Sequence, residues 1–298
     1  MIGTAPKTNS FGARDFAVVV IMNILWGFNI IAVKMAVTAI APLTAGFLRQ
    51  LIVLVVCGSA LRIVPGKMRL LTILGILSGG LFYIVVNVSL AVSDNVGALA
   101  IAGQLGVPFS LLLAILVFRE RIRWPRIAGI ALSFGGVVLL VFDPDAAREV
   151  PGLMLTAVAS FIWAICSLIQ RYLIGVPVLT IYAWVGFWGS VTLGTLAWFV
   201  EPAAMRTISS LPLSTLGWVA FSAIGSTVIG QGSMSWLLQR HPISVVTPLT
   251  LAAPIVSVFA ASWYFGTPLT MLMLTGGAVA MLGVAIVTIR TARAGDTP

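Results

Sequence analysis

Charge is what this sequence has least of. Of its 298 residues only 8% are Asp, Glu, Lys or Arg, while 60% are apolar. A soluble domain carries roughly a quarter of its residues as charges. A soluble fold this poor in charge could not cover its surface, and a disordered chain needs the opposite composition. Histidine occurs once and cysteine twice. The single His241 sits in a loop before Pro242, which excludes an HExxH zinc site and argues against an intramembrane protease. Cys57 and Cys166 stand alone inside apolar runs and read as small buried hydrophobes rather than disulfide partners or metal ligands. No catalytic residue, metal or cofactor is expected.

What is present is apolar sequence of membrane-spanning length. Runs punctuated by Pro, Gly and charge fall at about 16–38, 42–61, 70–92, 95–118, 125–142, 152–173, 178–199, 211–238, 243–265 and 268–289. The mean hydropathy of +1.11 agrees. This predicts an all-α polytopic membrane protein with ten transmembrane helices and the lipid bilayer as its solvent. The eighth run is long enough for a tilted or broken span. The first is too long for a signal peptide and contains Asn23, Asn29 and Lys34.

The net charge of +9 would suggest nucleic acid in a soluble protein, but here no nucleic-acid partner is expected, because position explains it. Thirteen Lys and Arg fall in the termini and loops of one side: Lys7, Arg14, Arg62, Lys67, Arg69, Arg119, Arg121, Arg123, Arg126, Arg171, Arg240, Arg290 and Arg293. The opposite side has only Arg148 and Arg206, together with Asp94, Asp143, Asp145, Glu149 and Glu201. The bias places both termini in the cytoplasm, as an even number of spans requires.

The chain also repeats itself. Ile24-Leu25-Trp26-Gly27 matches Phe161-Ile162-Trp163-Ala164, and eight residues beyond each Trp stand Lys34 and Arg171. Pro108 in span four matches Pro254 in span nine, and Gly129 and Gly136 match Gly276 and Gly283. Residues 1–145 are therefore expected to form one five-helix repeat and residues 146–298 a second. An odd number of spans per repeat turns the second copy upside down, the inverted-repeat (5+5) plan of secondary transporters.

The stretch from Leu99 to Leu140, with Pro108, Phe118-Arg119-Glu120-Arg121, Gly129, Gly135 and Gly136, is echoed by Pro254, Thr267-Pro268-Leu269 and Gly283. It resembles the EamA family of the drug/metabolite transporter superfamily, over essentially the whole chain. Arg49 in Phe47-Leu48-Arg49 is similar to the Arg that family often carries in span two. One departure stands out: Gly266 occupies the place where the second repeat would carry the family's Glu, so only Glu120 of that pair is present. The resemblance implies ten helices around a central substrate cavity and export of small metabolites. Members similar to this chain include exporters of amino acids, aromatic ones among them.

Polar side chains inside hydrocarbon face a cavity or bond to another helix. The candidates near mid-depth are Asn29, Asn87, Gln104, Gln231, Ser233 and Thr250. Several lie beside backbone weak points: Gln104 between Gly103 and Gly106 just before Pro108, Gln231 between Gly230 and Gly232, Thr250 between Pro248 and Pro254. Freed backbone groups there could serve a ligand; interhelical bonding is the competing reading. Trp26 and Trp163, with Tyr83, either clamp an apolar or aromatic substrate or pack the core. Trp124, Trp198, Trp218 and Trp263 sit near run ends and read as interfacial belt residues. Lys34 and Arg171 read as cations snorkelling from helix ends. Arg49 enters span two by about two turns with no acid in any span, and Glu120 reads as a structural cap or loop ion pair. Small-residue stripes at Gly75 and Gly79, and at Gly186, Ser190 and Gly194, predict packing within the bundle, or else a dimer in place of the expected monomer.

The expected function is therefore not an enzyme's. It is a secondary transporter of the bacterial inner membrane, exporting amino acids and related metabolites by alternating access. The alternative is an organic-anion, sugar-phosphate or nucleotide-sugar carrier, which would use Lys34, Arg49 and Arg171. With no carboxylate in any span, carboxylate-based proton coupling is not expected.

Overall fold

The computed structural model describes residues 12–118, 124–142, 149–238, 240–241, 245–246 and 249–295. Glu120, Pro248 and the side chain of Arg171 lie outside them. The described chain is helical, with ten main elements: α1 (Ala13–Ala39), α2 (Pro42–Cys57), α3 (Met68–Ala91), α4 (96–118), α5 (Trp124–Val141), α6 (Val150–Arg171), α7 (Val178–Val200), α8 (213–238), α9 (Ala252–Phe265) and α10 (Met271–Gly295). Eight contain stretches long and apolar enough to cross a membrane. The apolar parts of α5 and α9, Ile127–Leu140 and Ala252–Phe265, are shorter. The protein is thus an all-α polytopic membrane protein, with ten main helices among the described residues.

Three elements are not plain α-helix. In α4 the turn Gly103–Leu105 is 3-10, and regular helix resumes at Gly106. Pro108 is then the third residue of that new helix, and Pro254 is likewise the third residue of α9. The first-turn N–H groups have no intrahelical partner, so proline is tolerated there. Both prolines therefore begin helices rather than break them, and α9 starts at Ala252 instead of 243. In α3 and α8 the segments Gly75–Leu81 and Phe221–Gly230 are π-helical. The interval from Gly75 to Phe221 equals that from Pro108 to Pro254, 146 residues, so the two π segments occupy equivalent places in the two repeats.

Glycines set the packing. A Cβ on Gly129 would lie 3.0 Å from the Gly283 carbonyl oxygen, and one on Gly276 would lie 2.8 Å from that of Gly136. Gly129 corresponds to Gly276 and Gly136 to Gly283, so each glycine meets the partner's counterpart of the other. That reciprocity is the mark of a two-fold axis, and it makes the equivalent helices α5 and α10 antiparallel, as inversion demands. The predicted stripe on α3 also packs inside the bundle: a Cβ on Gly75 would reach 2.9 Å from the Trp184 carbonyl of α7. Gly266, where the family pattern has Glu, closes α9 in the left-handed conformation at φ 66°, which favours glycine.

One end of the bundle is tied by charges. Glu201, just after α7, accepts hydrogen bonds from the backbone N–H groups of Leu43 (3.0 Å) and Thr44 (2.8 Å), capping α2. Glu149 likewise accepts from Asp94 and Asn95 before α4. Lys34 does not snorkel. It is 6% exposed, and its Nζ donates to the carbonyls of Leu90 (2.9 Å) and Ser93 at the C-terminal end of α3. Cys57 and Cys166 are buried and free.

Candidate functional site

A central cavity of about 500 Å³ lies among α1, α2, α3, α4, α6, α7 and α8, with the turn before α9. The π segments contribute Ser78, Ser226 and Thr227 to its wall. A π turn is wider than an α turn and recurs at functional sites. In α8 it brings Ser222 and Thr227, five residues apart, onto one face, with Thr227 Oγ1 donating to the Ser222 carbonyl at 3.4 Å. In an α-helix they would point about 140° apart.

That face receives Arg49. Its guanidinium donates to Ser222 Oγ and, at 2.8 Å, to Thr227 Oγ1. Ser222 Oγ donates onward to Asn29 Oδ1 at 2.8 Å. The guanidinium carbon lies 4.3 Å from the Tyr83 ring centroid, in cation–π contact. Arg49 is 5% exposed yet lines the cavity. Among the described cavity-lining residues it is the one formal charge, with no Asp, Glu or His beside it.

Part of the cavity wall is aromatic. Trp26, Phe82 and Trp163 line the cavity, with the Phe82 and Trp163 rings 5.4 Å apart. Trp26 Nε1 donates to the Ser226 carbonyl of the π segment at 3.1 Å, which fixes the indole. A Cβ on Gly230 would collide with that indole, and one on Gly106 would touch Trp163 at 3.4 Å. These two glycines thus seat the tryptophans.

Of the sequence candidates, Trp26, Asn29, Tyr83, Gly103, Trp163, Gln231 and Thr250 meet around this cavity. Tyr83 holds Arg49 on its ring, so it positions a cation. Asn87, Gln104 and Ser233 do not line it. Gln104 turns its amide back to the Ala100 carbonyl of its own helix at 3.5 Å, and Asn87 donates to the Pro42 carbonyl at 2.9 Å, joining α3 to α2. A 3-10 turn rotates Gln104 relative to its neighbours, which α-helical spacing could not foresee. Gly232 lines a second cavity of about 700 Å³ with Arg62, Pro177 and Trp236, at the end of the bundle opposite the capped one. Sequence reasoning missed Gln50, Ser78, Phe82, Tyr182, Ser222 and Thr227. The clustered hydroxyls of Ser222, Ser226 and Thr227 in an otherwise apolar run were the available signal.

Two inverted five-helix halves enclosing a polar and aromatic cavity define the class: a helical membrane protein built on the inverted-repeat transporter plan. The chain belongs to the EamA-like transporter family, which matches residues 16–142 and again residues 150–289. It is 24% identical over 285 residues to a "Probable amino-acid metabolite efflux pump" of Salmonella typhimurium, covering 92% of this chain and 94% of that one. It is 27% identical over 189 residues to a "Probable terminal-alkyne amino-acid exporter" of Streptantibioticus cattleyicolor, covering 61% of each. A crystal structure 18% identical in sequence superposes with a TM-score of 0.61 over 96% of this chain and 99% of that one, and shares its fold. The protein is accordingly an integral membrane transporter of EamA type.

Proposed function

We propose that the protein exports neutral amino acids, aromatic ones included, and related metabolites across the bacterial inner membrane by alternating access between its repeats, with both termini cytoplasmic. The observation that carries this reading is the pairing in one cavity of a buried, acid-free cation, Arg49, with a wall of Trp26, Phe82 and Trp163. A substrate with one carboxylate and an apolar or aromatic side chain matches both surfaces. The names of the two relatives support the same substrate class.

The organic-anion or sugar-phosphate alternative fits less well. A phosphate carrying nearly two charges calls for several converging cations; Arg49 is the one cation among the described residues that line the cavity, and Lys34 is committed to the carbonyls of Leu90 and Ser93. The cavity lining also holds no Asp, Glu or His among the described residues, so transport is expected to proceed as facilitated movement or exchange without a buried carboxylate relay.

The test is counterflow in liposomes holding the full chain, with phenylalanine, threonine, methionine and a sugar phosphate as the panel. The amino acids should move down their own gradients at equal internal and external pH, and the sugar phosphate should not. Trp163→Ala should lower phenylalanine counterflow by about tenfold, the scale of one lost aromatic contact, in protein that remains monodisperse. Strict dependence on a pH gradient, or carriage of the sugar phosphate alone, would overturn the reading.

A further inference from the structure

We infer that the 700 Å³ cavity at the basic end of the bundle is a second binding site, a vestibule that takes the carboxylate of an amino acid outside the central cavity. This rests on the transport reading above and adds a site to it. The cavity is walled by the segment after α2, by the start of α7 and by Gly232, Ser235 and Trp236 near the end of α8. Its volume falls within the range of small-molecule sites, about 300–1,000 Å³. Gln231 and Met234 line the central cavity while Gly232 and Ser235 line this one, so the same turns of α8 wall both.

Four consecutive residues, Pro177, Val178, Leu179 and Thr180, touch the cavity. Side chains about 100° apart cannot all lie on one side of a helix, so the cavity meets the end of α7. The first intrahelical bond there runs from the Ile181 N–H to the Pro177 carbonyl at 3.1 Å. The N–H groups of Val178, Leu179 and Thr180 are left without intrahelical partners, at the positive end of the helix dipole. Thr180 adds an independent sign of a ligand. It is 3% exposed, yet its Oγ1 makes no hydrogen bond among the described residues and, unlike the sealed Oε1 of Gln50, keeps contact with open space. Its Cα–Cβ bond tilts toward the helix N-terminus, so the hydroxyl and the N–H groups serve the same end. Arg62 is the one formal charge among the described lining residues and forms no ion pair among them. Its loop is pinned, because Trp184 Nε1 donates to the Arg62 carbonyl at 2.9 Å and Lys67 Nζ to the Tyr172 carbonyl at 2.6 Å. The Trp236 ring is held by Arg240 and Arg14, whose guanidinium carbons lie 3.9 and 5.3 Å from its centroid. A single carboxylate therefore finds N–H donors, a hydroxyl and a guanidinium, and an apolar side chain finds Trp236, Ile63 and Val64.

Protection of a thiol placed in the vestibule tests this. Ser59 is an exposed lining residue, and the native Cys57 and Cys166 are buried, so Ser59→Cys in the full chain gives a single reactive reporter. In detergent, saturating phenylalanine should slow its labelling by a neutral maleimide at least about fivefold, since a bound ligand fills most of such a site. Phenylalaninamide, which lacks the carboxylate, should not. Adding Arg62→Gln and Thr180→Val should raise the half-protecting concentration at least about tenfold, the scale of a lost charged hydrogen bond. Arg62→Lys should largely retain protection. Trp163→Ala, in the central cavity, should leave the half-protecting concentration within about twofold, as independent sites do. Protection that follows Trp163→Ala and ignores Arg62→Gln with Thr180→Val would come from the central site and overturn the inference. So would protection by added phosphatidylglycerol but not by phenylalanine, which would give the site to a lipid headgroup. Absence of any protection, with counterflow intact, overturns the vestibule and leaves the transport reading standing; absence of both overturns both.

Discussion

Lys34 shows how a single residue can be found correctly and read wrongly. Its depth in α1 was plain from the sequence, but a cation near a span end looks the same whether it reaches for lipid headgroups or for a neighbouring helix. The neighbour decides. The last turn of α3 offers carbonyls without intrahelical partners and the negative end of a helix dipole, and Lys34 Nζ donates to the Leu90 carbonyl of that turn and to the Ser93 carbonyl just beyond it, with Asp94 at 3.9 Å. Lys34→Met should therefore leave these acceptors unpaired and cost about 1–3 kcal/mol. Thermal unfolding in detergent should show a Tm lower by a few degrees, with substrate affinity unchanged; an unchanged Tm would mean that water replaces the ammonium at no cost. Arg49 is the complementary case. Its isolation from acids was legible in the sequence, whereas its partners Ser222 and Thr227 lie about 175 residues away, and local spacing carries no information about them.

Elements were legible wherever hydrophobic run length alone decided them. Each of the ten runs overlaps one of the ten main helices. Their internal irregularities were hidden, because π and 3-10 turns change the helical phase only slightly and leave little trace in an unbroken apolar run. Gly103–Leu105 explains why Gln104 faces its own helix, and Phe221–Gly230 explains why Ser222 and Thr227 converge on Arg49. The glycines of α5 and α10 lie between these extremes: their matched spacing was visible, but that they meet one another was not. Adjacent glycines on α5 give a clean comparison. A Cβ on Gly136 would press into the Gly276 and Ala280 backbone, whereas one on Gly135 meets nothing within 4 Å. Gly136→Val should force α5 from α10 at a cost of at least about 1–3 kcal/mol, seen as a lower Tm and a smaller monodisperse yield. Gly135→Val should match the parent in both; equal behaviour of the two variants would place the helix seam elsewhere.

At the scale of the whole molecule, the inverted repeat supplies two similar ends that the structure treats differently. One end is fastened by Lys34, Glu149 and Glu201 on helix termini. The other has the 700 Å³ cavity near Arg62, Pro177 and Trp236. A transporter whose halves rock against each other must at some stage open the fastened end, and the seam between repeats there runs through Ser93, before α4, and Gly152, in α6. Ser89 Oγ of α3 donates across it to the Gly152 carbonyl at 2.8 Å. A Cβ on Gly152 would lie 3.1 Å from the Ser93 Cβ, close enough for a disulfide after slight adjustment. The double variant Ser93→Cys, Gly152→Cys, made in a chain whose native Cys57 and Cys166 are buried, should then act as a reversible lock. Oxidised, it should retain less than about a tenth of parental counterflow, because a covalent bond far exceeds the few kcal/mol that separate conformers. Reductant should restore transport, and Ser93→Cys alone should transport in either redox state. Full counterflow by the oxidised pair, with the bond verified by mass spectrometry, would mean that this seam stays shut during transport and that the substrate leaves the cavity by another route.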